Sequence, residues 1–440
     1  MMTDRMEHGR MIDVTLIRQN PVRVQQALAK RAVHVDLDEF LRLDDDYRQV
    51  RAEMERLRGE RKRISGEIAK RQRVGEGVAS LHGEASAVGE QLTAVGARLI
   101  ELEHARQVFL APLPNLPDAD VLAGGKENNE VIREAGQRRE FGFTPRDHVE
   151  LARTLGLVDY ERGTKLGGSG FWIYRGDGAL LEWALLNHFL EAHVRDGYEF
   201  VLPPHILTFA AGYTAGQFPK FADEVFALEQ GEHGPERFLL PTAETALVNL
   251  HRDETLPETE LPRKYVAYTP CYRKEAGGYR TAERGTLRGH QFNKVELFQF
   301  THPDASDAAH QELLGRAEDL VKGLGLHYRI TRLAAGDTSA AMAKTYDVEV
   351  WLPSIEAYVE VSSVSNARDY QARRGNIRYR PQQGKSTFLH TLNGSGLATS
   401  RLVPALLEQH QRADGTVEVP DVLHKWIPSG VLTSTALGLS

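Results

Sequence analysis

The chain has 440 residues, which is enough for two or three domains with a sizeable buried core. Its formal net charge of −7 excludes a uniformly basic nucleic-acid-binding surface but leaves room for a local basic patch. A single cysteine, Cys271, excludes an internal disulfide framework and any site built from several thiolates. No apolar run approaches the roughly 20 residues that cross a bilayer. We therefore predict a cytoplasmic protein without a membrane anchor.

Apolar residues between positions 40 and 110 recur at alternating steps of three and four. One run covers positions 40–68 and a second covers positions 81–102. This heptad spacing predicts two coiled-coil helices, and the short turn at 73–77 makes them antiparallel. A helix over 40–70 would be about 46 Å long at 1.5 Å per residue. A dimerisation coil or a packed bundle is the alternative.

The first of these predicted helices is basic. Between positions 47 and 73 it carries ten Lys or Arg residues against four Glu. A basic face on a long arm suits a phosphate backbone, whose neutralisation supplies affinity that is independent of base sequence. The alternative is an ordinary solvated face, but such faces are usually mixed in sign.

The remainder of the chain reads as a linker, a body and a tail. Prolines after position 112 and then Gly124 and Gly125 predict a linker over 121–143. The body, over 144–428, has a predicted helix at 180–194, and its β-rich runs are 200–202, 265–269, 295–300 and 358–362. Because these strands have no regular helices between them, we predict an α+β domain with an antiparallel sheet. The tail at 429–440 is assigned no role.

Four arginines surround a glycine-containing loop at 275–285, namely Arg273, Arg280, Arg284 and Arg288. Guanidinium groups bind phosphate and carboxylate through paired donors, and glycine allows a ligand to approach the backbone. The loop is therefore a candidate site for a triphosphate or an acid. An exposed basic hairpin tip fits the composition equally well.

Two further stretches carry candidate chemistry. Glu360 lies in an otherwise apolar predicted strand, where a carboxylate needs a cation such as an arginine or a Mg²⁺ that bridges phosphates. A structural salt bridge is the alternative. The stretch 392–401 leads small residues into Arg401 at a predicted helix start, which suits a nucleotide, although Asn393 and Gly394 alone suggest a hairpin turn.

Together these stretches resemble the signature motifs of the class II aminoacyl-tRNA synthetases, specifically the seryl-tRNA synthetases. Residues 180–204 resemble motif 1, residues 271–277 with 287–296 resemble motif 2, and residues 392–401 resemble motif 3. Seryl-type segments occur in the expected order at 241–244, 360–366 and 371–374. The helical arm is similar to that of bacterial seryl enzymes, which clasps the long variable arm of tRNA(Ser).

This resemblance implies a class II catalytic domain over 144–428, preceded by a tRNA-binding domain over 11–120 whose arm covers 40–110. It implies activation of L-serine with ATP and Mg²⁺ to seryl-adenylate, followed by transfer to tRNA(Ser). The implied serine-binding residues are Thr242, Ala243, Glu244, Arg273, Glu296 and Ser395. The implied ATP-binding residues are Arg273, Lys274, Glu275, Glu360, Val361, Ser362, Ser363 and Arg401. Arg273, Glu275 and Arg401 are the catalytic residues among them.

The resemblance also assigns metal, tRNA and subunit contacts. Glu360 and Ser363 are the expected Mg²⁺ ligands, although strict strand alternation places Ser362 on the face of Glu360, so this pair requires a bulge. The expected tRNA contacts on the arm are Arg56, Arg63 and Arg71. A homodimer is expected because motif 1 forms the two-fold interface of class II enzymes. The apolar helix face predicted to need a cover comprises Leu181, Leu185, Phe189 and Leu190.

Three other functions stay open at this point. A ligase of the same fold that loads amino acids onto a carrier protein would lack the coiled-coil arm. An inactive tRNA-binding paralogue would have gaps in the motifs, whereas all of their charged residues are present. A specialised second copy of the seryl enzyme, serving antibiotic self-resistance or a biosynthetic pathway, would share every motif.

Overall fold

The computed structural model describes residues 12–232, 234–275 and 284–434. They form two compact units, which we name the arm unit and the body. The arm unit holds the described residues up to Gln26 together with Val33–Leu113, and the body holds Ala27–Ala32 and the described residues from Pro114 onward. Within the described ranges, none of the helices combines the length and apolar character of a membrane span.

The described α-helices, in chain order, are α1 (Val14–Gln19), α2 (Pro21–Ala29), α3 (Leu37–Arg73), α4 (Ala79–Leu110), α5 (His148–Thr154), α6 (Tyr160–Gly167), α7 (Asp177–Arg195), α8 (Phe209–Thr214), α9 (Glu244–Leu247), α10 (Ser306–Gly323), α11 (Tyr370–Arg374) and α12 (Thr399–His410).

The described strands are β1 (Glu130–Ala135), β2 (Val158–Asp159), β3 (Ile173–Tyr174), β4 (Glu199–Val201), β5 (Ile206–Thr208), β6 (Ala227–Gly231), β7 (Gly234–Leu239), β8 (Thr255–Pro257), β9 (Arg263–Tyr272), β10 (Gln291–Thr301), β11 (Tyr328–Arg332), β12 (Lys344–Leu352), β13 (Ala357–Arg368), β14 (Arg378–Arg380), β15 (Thr387–Phe388), β16 (His390–Ala398), β17 (Val417–Glu418) and β18 (Val431–Leu432).

The helical hairpin predicted for the arm is confirmed by α3 and α4. Helix α3 begins where Asp36 accepts hydrogen bonds from the backbone amides of Asp38 and Glu39, which otherwise lack partners in the first helical turn. The predicted seam is buried between the two helices, with Leu57, Ile64, Leu81 and Val88 at its centre. The heptad repeat therefore supplies the arm unit with a hydrophobic core of its own.

A buried acid joins three helices of the arm unit. The carboxylate of Asp44, on α3, is only 1% exposed. Arg18 from α1 approaches it to 2.5 Å and Arg106 from α4 approaches it to 2.8 Å. Phe40 and Phe109 stack nearby, with ring centroids 5.2 Å apart. Because two guanidinium groups compensate the buried carboxylate, the cluster fixes this end of the hairpin.

The body is built on the predicted antiparallel sheet. Eight strands pair in the order β1-β11-β12-β13-β16-β10-β9-β4. Every pairing is antiparallel except that of the edge strand β4 with β9, which is parallel. The α+β class is therefore confirmed.

Helices and a second apolar cluster cover the two faces of this sheet. Helices α7, α10 and α12 pack on one face against strand residues such as Val295 and Leu297. Since side chains alternate along a strand, Phe298 and Phe300 point to the other face and join a cluster with α8, α9 and α11. Lys294 and Glu296 share this second face, which is where the candidate site lies.

Within the predicted linker at 121–143, Glu130–Ala135 form a regular strand. These residues form β1 and pair with β11 at the edge of the main sheet. Their side chains are almost all exposed, so the strand carries no apolar alternation that would reveal it. Backbone pairing with a strand about 200 positions later in the chain decides its structure.

The reason given for a homodimer also needs correction. Leu181, Leu185 and Phe189 are fully buried in the core of the same chain, where they pack under the sheet. The exposed apolar side chains of α7 are instead Leu180 and Trp183, at 55% and 54% exposure, and Val194 near its end, at 48%. The predicted face of α7 is therefore already covered by the core of the same chain, whereas a neighbouring face of the helix is exposed.

Candidate active site

Two carboxylates meet on the second face of the sheet. Asn393, on β16, donates to Glu296 of β10 at 3.0 Å and to Glu244, at the start of α9, at 3.3 Å. Lys294 lies beside them and contacts Glu296 at 2.6 Å and the Thr242 hydroxyl at 2.7 Å. We name these five residues the carboxylate pocket. The polar groups come from three separate parts of the chain and converge because β10 and β16 are neighbours.

The two acids of the pocket are in different electrostatic states. Lys294 balances Glu296, which is fully buried. Glu244 has amide partners, Asn393 and Gln371, and no cation within ion-pair distance among the described residues. Burial, reinforced by the charge of Glu296, raises the pKa of Glu244 to about 7. The pocket thus offers one compensated carboxylate and a second one that would gain from an added cation.

Sequence reasoning missed Lys294 and Asn393. Lys294 is 6% exposed and Asn393 is 8% exposed, and each bridges two predicted site residues. A signal was present for Lys294, because a lysine two positions before Glu296 on one strand points to the same face. Asn393 was noted only as a turn residue, whereas here it lies inside a nine-residue strand. The hairpin interpretation of Asn393 and Gly394 is therefore wrong.

Arg273 lies at the edge of the carboxylate pocket. Its Nε donates to the carbonyl of Pro241, next to Thr242, at 3.2 Å. Its guanidinium lies 5.2 Å from the ring centre of Phe292. The charge of Arg273 is one of the factors that lower the pKa of Glu244 against the effect of burial. A fixed guanidinium thus faces the region of the two carboxylates.

The other motif 2 residues are placed differently. Glu275 accepts a hydrogen bond from Arg288 at 2.7 Å, so the two ends of the loop are joined by an ion pair. Lys274 is exposed. Arg280 lies outside the described residues, as does most of the predicted loop.

A cavity of about 520 Å³ opens on the sheet beside motif 3. We name it the sheet cavity. Its lining includes Glu360, Ser363 and Arg401, together with Leu287. Arg401 donates to a carboxylate oxygen of Glu360 and to the carbonyl of Leu287, at 3.2 Å and 3.1 Å. Of the predicted ATP-binding residues in the described ranges, only Glu360, Ser363 and Arg401 belong to this lining, whereas Arg273, Lys274, Glu275, Val361 and Ser362 do not.

The bulge that the Glu360 and Ser363 pair requires is present. Val348 pairs with Ser362 while Glu349 pairs with Glu360, so Val361 is an extra residue in β13. Its side chain enters the helix-covered core, and the Ser362 hydroxyl donates to the carbonyl of Ser395 at 2.6 Å. Glu360 and Ser363 consequently both face the cavity. Val361 and Ser362 are left with backbone groups to offer a ligand, as is the fully buried Ala243.

Besides Glu360, the cavity is lined by three acids that were not predicted, Asp337, Asp347 and Glu349. Asp347, on β12, is 7% exposed, and its Oδ1 has no hydrogen-bond partner among the described residues. Burial, and then the charge of Glu360, raises the pKa of Asp347 well above its ordinary value. The signal that identified Glu360, a lone acid in an apolar strand, does not single out Asp347, because Glu349 lies two positions later on β12. The described residues contain no group of three or more classical metal ligands.

The predicted tRNA contacts lie on the surface of α3. Arg56 pairs with Glu53 and Glu60, and Arg71 pairs with Glu67. Arg63 is exposed. Exposed ion pairs within a helix contribute little to stability, so Arg56 and Arg71 can exchange their partners for phosphate groups at little cost.

Two family models match the chain. The seryl-tRNA synthetase N-terminal domain matches residues 11–117, and the class II core domain of tRNA synthetases (G, H, P, S and T) matches residues 226–410. Serine–tRNA ligase 2 of Clostridium acetobutylicum is 56% identical over 420 residues, which cover 95% of this chain and 99% of the relative. Serine–tRNA ligase of Nitratidesulfovibrio vulgaris (strain Miyazaki F) is 44% identical over 95% of this chain and 98% of the relative.

Two solved structures are similar to this chain over nearly its whole length. The seryl-tRNA synthetase of Pyrococcus horikoshii, complexed with ATP, superposes with a TM-score of 0.88 at 34% identity, covering 96% of this chain and all of that chain. The cytoplasmic serine–tRNA ligase of Naegleria fowleri, in complex with AMP, gives a TM-score of 0.85 at 26% identity, covering 97% and 100%.

Proposed function

The chain belongs to the seryl-tRNA synthetase family, and from this premise we propose which of its residues bind serine, ATP and tRNA. The reaction is the ATP-dependent ligation of serine to tRNA through seryl-adenylate. The geometry of the carboxylate pocket is the observation that supports serine as the amino acid substrate. The comparisons give no support to the three alternative functions.

Serine binds in the carboxylate pocket. Its ammonium group supplies the cation that Glu244 lacks, with the Thr242 hydroxyl as a second acceptor and the backbone of Ala243 alongside. The serine hydroxyl donates to Glu296, which pairs with Lys294, and contacts Ser395, which lies 3.5 Å from the same carboxylate. An amino acid without the hydroxyl leaves these buried groups unpaired, which is the strongest form of discrimination between small substrates.

ATP binds between motif 2 and the sheet cavity. Arg273 contacts both the α-phosphate and the serine carboxylate and brings the reacting atoms together. Glu275 contacts the adenine, Lys274 and the backbone of Val361 and Ser362 add further contacts, and Arg401 binds the terminal phosphate. The serine carboxylate then attacks the α-phosphorus in line and pyrophosphate leaves. No general base is needed, because the nucleophile is already ionised, so positioning and charge stabilisation do the catalytic work.

The residues of the sheet cavity fit a magnesium ion. Glu360 and Ser363 present oxygen ligands from one side of the bulged strand, and the partnerless Oδ1 of Asp347 adds a further oxygen behind them. Mg²⁺ commonly takes one or two carboxylates and completes its shell with phosphates and water. When bound, the ion neutralises charge on the phosphates of ATP.

The arm and the open face of α7 supply the remaining contacts. Arg56, Arg63 and Arg71 bind the backbone of tRNA(Ser), whose phosphates replace glutamates as their partners. The exposed apolar side chains of α7 and β4 form the interface of a homodimer. The cytoplasmic location stays a prediction from the sequence.

Serine-dependent exchange of pyrophosphate with ATP tests the choice of amino acid. We expect serine to support exchange and threonine, alanine and cysteine to be far weaker. Glu296→Ala should lower kcat/KM for serine by about 100-fold or more, because the partner of the substrate hydroxyl is lost and Lys294 is left unpaired. Glu296→Gln keeps the shape of the side chain, so it provides a second test if Glu296→Ala fails to fold.

A matched control removes a carboxylate from another ion pair. Glu312, on α10, holds Lys264 at 2.7 Å outside the pocket, and Glu312→Ala should leave kcat/KM for serine within a few fold. Equal kcat/KM for serine and for alanine or threonine in the intact protein would show that the pocket does not select serine.

A further inference from the structure

A buried histidine and glutamate, not used in the reaction, contact the backbone beside the ATP site. Glu408, on α12, is fully buried, and His148, at the start of α5, is 4% exposed. The Nδ1 of His148 lies 2.7 Å from the Glu408 carboxylate, and its Nε2 lies 3.1 Å from the carbonyl oxygen of Arg284. Both neighbours are acceptors, so the ring satisfies both contacts only when each nitrogen carries a proton.

Glu408 is itself held in place from several sides. It accepts hydrogen bonds from the backbone amide of His148 at 2.9 Å and from the amide and hydroxyl of Ser354 at 2.8 Å and 2.7 Å. The carboxylate therefore has a complete set of donors inside the protein. A carboxylate and ring fixed in this way can transmit the position of α12 to the Arg284 carbonyl.

The segment that His148 contacts leads into the proposed ATP site. We name residues 284–288 the return segment. Thr286 donates to the carbonyl of Ser400 at 2.8 Å, Leu287 accepts from Arg401 at 3.1 Å, and Arg288 pairs with Glu275 at 2.7 Å. Three of its five residues thus contact either α12 or a proposed ATP ligand, and His148 holds the first residue of the segment.

The fit between His148 and this segment is close. Gly285 has a φ of +67°, and a Cβ atom at this position would lie 2.7 Å from the Nε2 of His148. Asp147, the neighbour of His148, lies 3.6 Å from the Arg284 guanidinium. Backbone conformation and side-chain packing therefore place the return segment directly against the histidine ring.

We propose that His148 and Glu408 are positioning residues for ATP, acting through the return segment on Arg401 and on the Glu275–Arg288 pair. The proposal rests on the ATP site assigned above. It concerns ATP alone, because the residues proposed to select serine, Glu244 on α9, Glu296 on β10 and Ser395 on β16, have no hydrogen bond or ion pair with His148 among the described residues.

Two substitutions at one position separate the contacts of the ring. In His148→Asn, the side-chain amide can reach the position of Nδ1 and Glu408 but not Arg284. In His148→Gln, the amide can reach the position of Nε2 and the Arg284 carbonyl. We expect His148→Asn to raise KM for ATP about tenfold, with KM for serine within twofold, and His148→Gln to recover part of the loss. Glu408→Gln should behave like His148→Asn.

The control is a second histidine, His410, which lies on the same helix as Glu408. His410 lies 2.9 Å from the carbonyl of Leu324, away from the return segment. His410→Gln should leave both KM values unchanged.

ATP affinity, measured by calorimetry without serine, separates this proposal from the serine assignment. Loss of serine-dependent exchange in the intact protein would refute the proposed function, whereas the calorimetric comparison still tests His148. A His148→Asn variant that binds ATP as tightly as the intact protein overturns the proposal. So does a variant whose Tm and kcat fall while both KM values stay the same, because that result describes a purely structural role.

Discussion

At the scale of single residues, the protonation of Glu244 controls the charge of the carboxylate pocket, where we propose that serine binds. Burial raises its pKa to about 7, and the neighbouring charge of Glu296 acts in the same direction. Gln371, Lys294 and Arg273 oppose this shift. The free pocket therefore holds a carboxyl group that is ready to ionise when a cationic substrate enters.

We expect KM for serine to rise as the pH falls through about 7, because protonation removes the charge that pairs with the ammonium group. Glu244→Gln should raise KM and abolish this pH dependence. Glu182 offers a matched control, since burial also raises its pKa to about 7 while its partners are Asn293 and Thr399. Glu182→Gln should keep the pH dependence of KM. An intact protein whose KM for serine is constant across this range contradicts the assignment of Glu244.

The Glu182 and Glu244 carboxyls should also make the stability of the fold depend on pH. The direction is opposite to that of serine binding, because stability falls as the pH rises. A pKa that is higher in the folded than in the unfolded state means that the folded protein binds the proton more tightly. The contribution to stability is fully present below about 4.5, the ordinary value, and is lost as the pH rises through about 7. Glu182→Gln and Glu244→Gln should each flatten this fall when Tm is measured against pH.

At the scale of elements, the arm hairpin is stabilised by its own seam and contains none of the residues proposed to bind serine and ATP. Its buried residues contact one another across α3 and α4. The Phe40 and Phe109 rings are 5.2 Å apart, so a short connection can join the chain where the hairpin begins and ends. Every residue proposed to form seryl-adenylate belongs to the body.

Replacing residues 40–110 by a short linker should leave serine-dependent pyrophosphate exchange within a few fold. Aminoacylation should fall sharply through KM for tRNA, because the basic face is lost. In the full-length chain, neutralising Arg56, Arg63 and Arg71 should weaken tRNA binding and reduce its dependence on salt, since fewer counterions are released.

Arg98, on the less basic helix α4, provides the control for these charge changes. It pairs with Glu101 and is similarly exposed. Arg98→Gln should have a smaller effect on tRNA affinity than any of the three substitutions on α3. Equal charging of tRNA by the truncated and intact proteins would mean that the basic face is only a solvated surface.

At the scale of the whole molecule, one apolar surface of the body has no cover within the described part of the chain. Leu180 and Trp183 on α7 and Phe200 on β4 are 44–55% exposed, and Leu202 just beyond β4 is 71% exposed. Grouped apolar side chains of this size mark an interaction surface more often than a solvated one. A second copy of the chain is the occupant expected from the family's motif 1.

We expect light scattering to give a dimeric mass for the intact protein. Leu180→Asp combined with Leu202→Asp should give a monomeric mass, because each charge would be buried without a partner in the interface. Ile100, on the arm, is 69% exposed, and Ile100→Asp should leave the dimer intact. A monomeric intact protein that retains activity would refute the homodimer.

Local patterns of the sequence determined the arm, the fold class and most of the charged residues of the site. Heptad spacing depends only on residues three and four positions apart, so α3 and α4 could be predicted without knowledge of the body. Glu360 stood out because a carboxylate in an apolar strand requires a cation, and the arginines stood out because they cluster around a glycine-containing loop. The resemblance of the motifs then supplied the identity of the reaction.

Contacts between distant segments decided what the sequence could not. Asn393 and Lys294 acquire their roles from the pairing of β10 with β16, and Ser363 faces the cavity because of a bulge that depends on register with β12. Strand β1 exists through its pairing with β11, and the buried face of α7 was assigned to the wrong partner. Register and layer packing depend on which strands pair and how they align, as for Lys294 and Asn393 on β10 and β16, so only the tertiary structure specifies them.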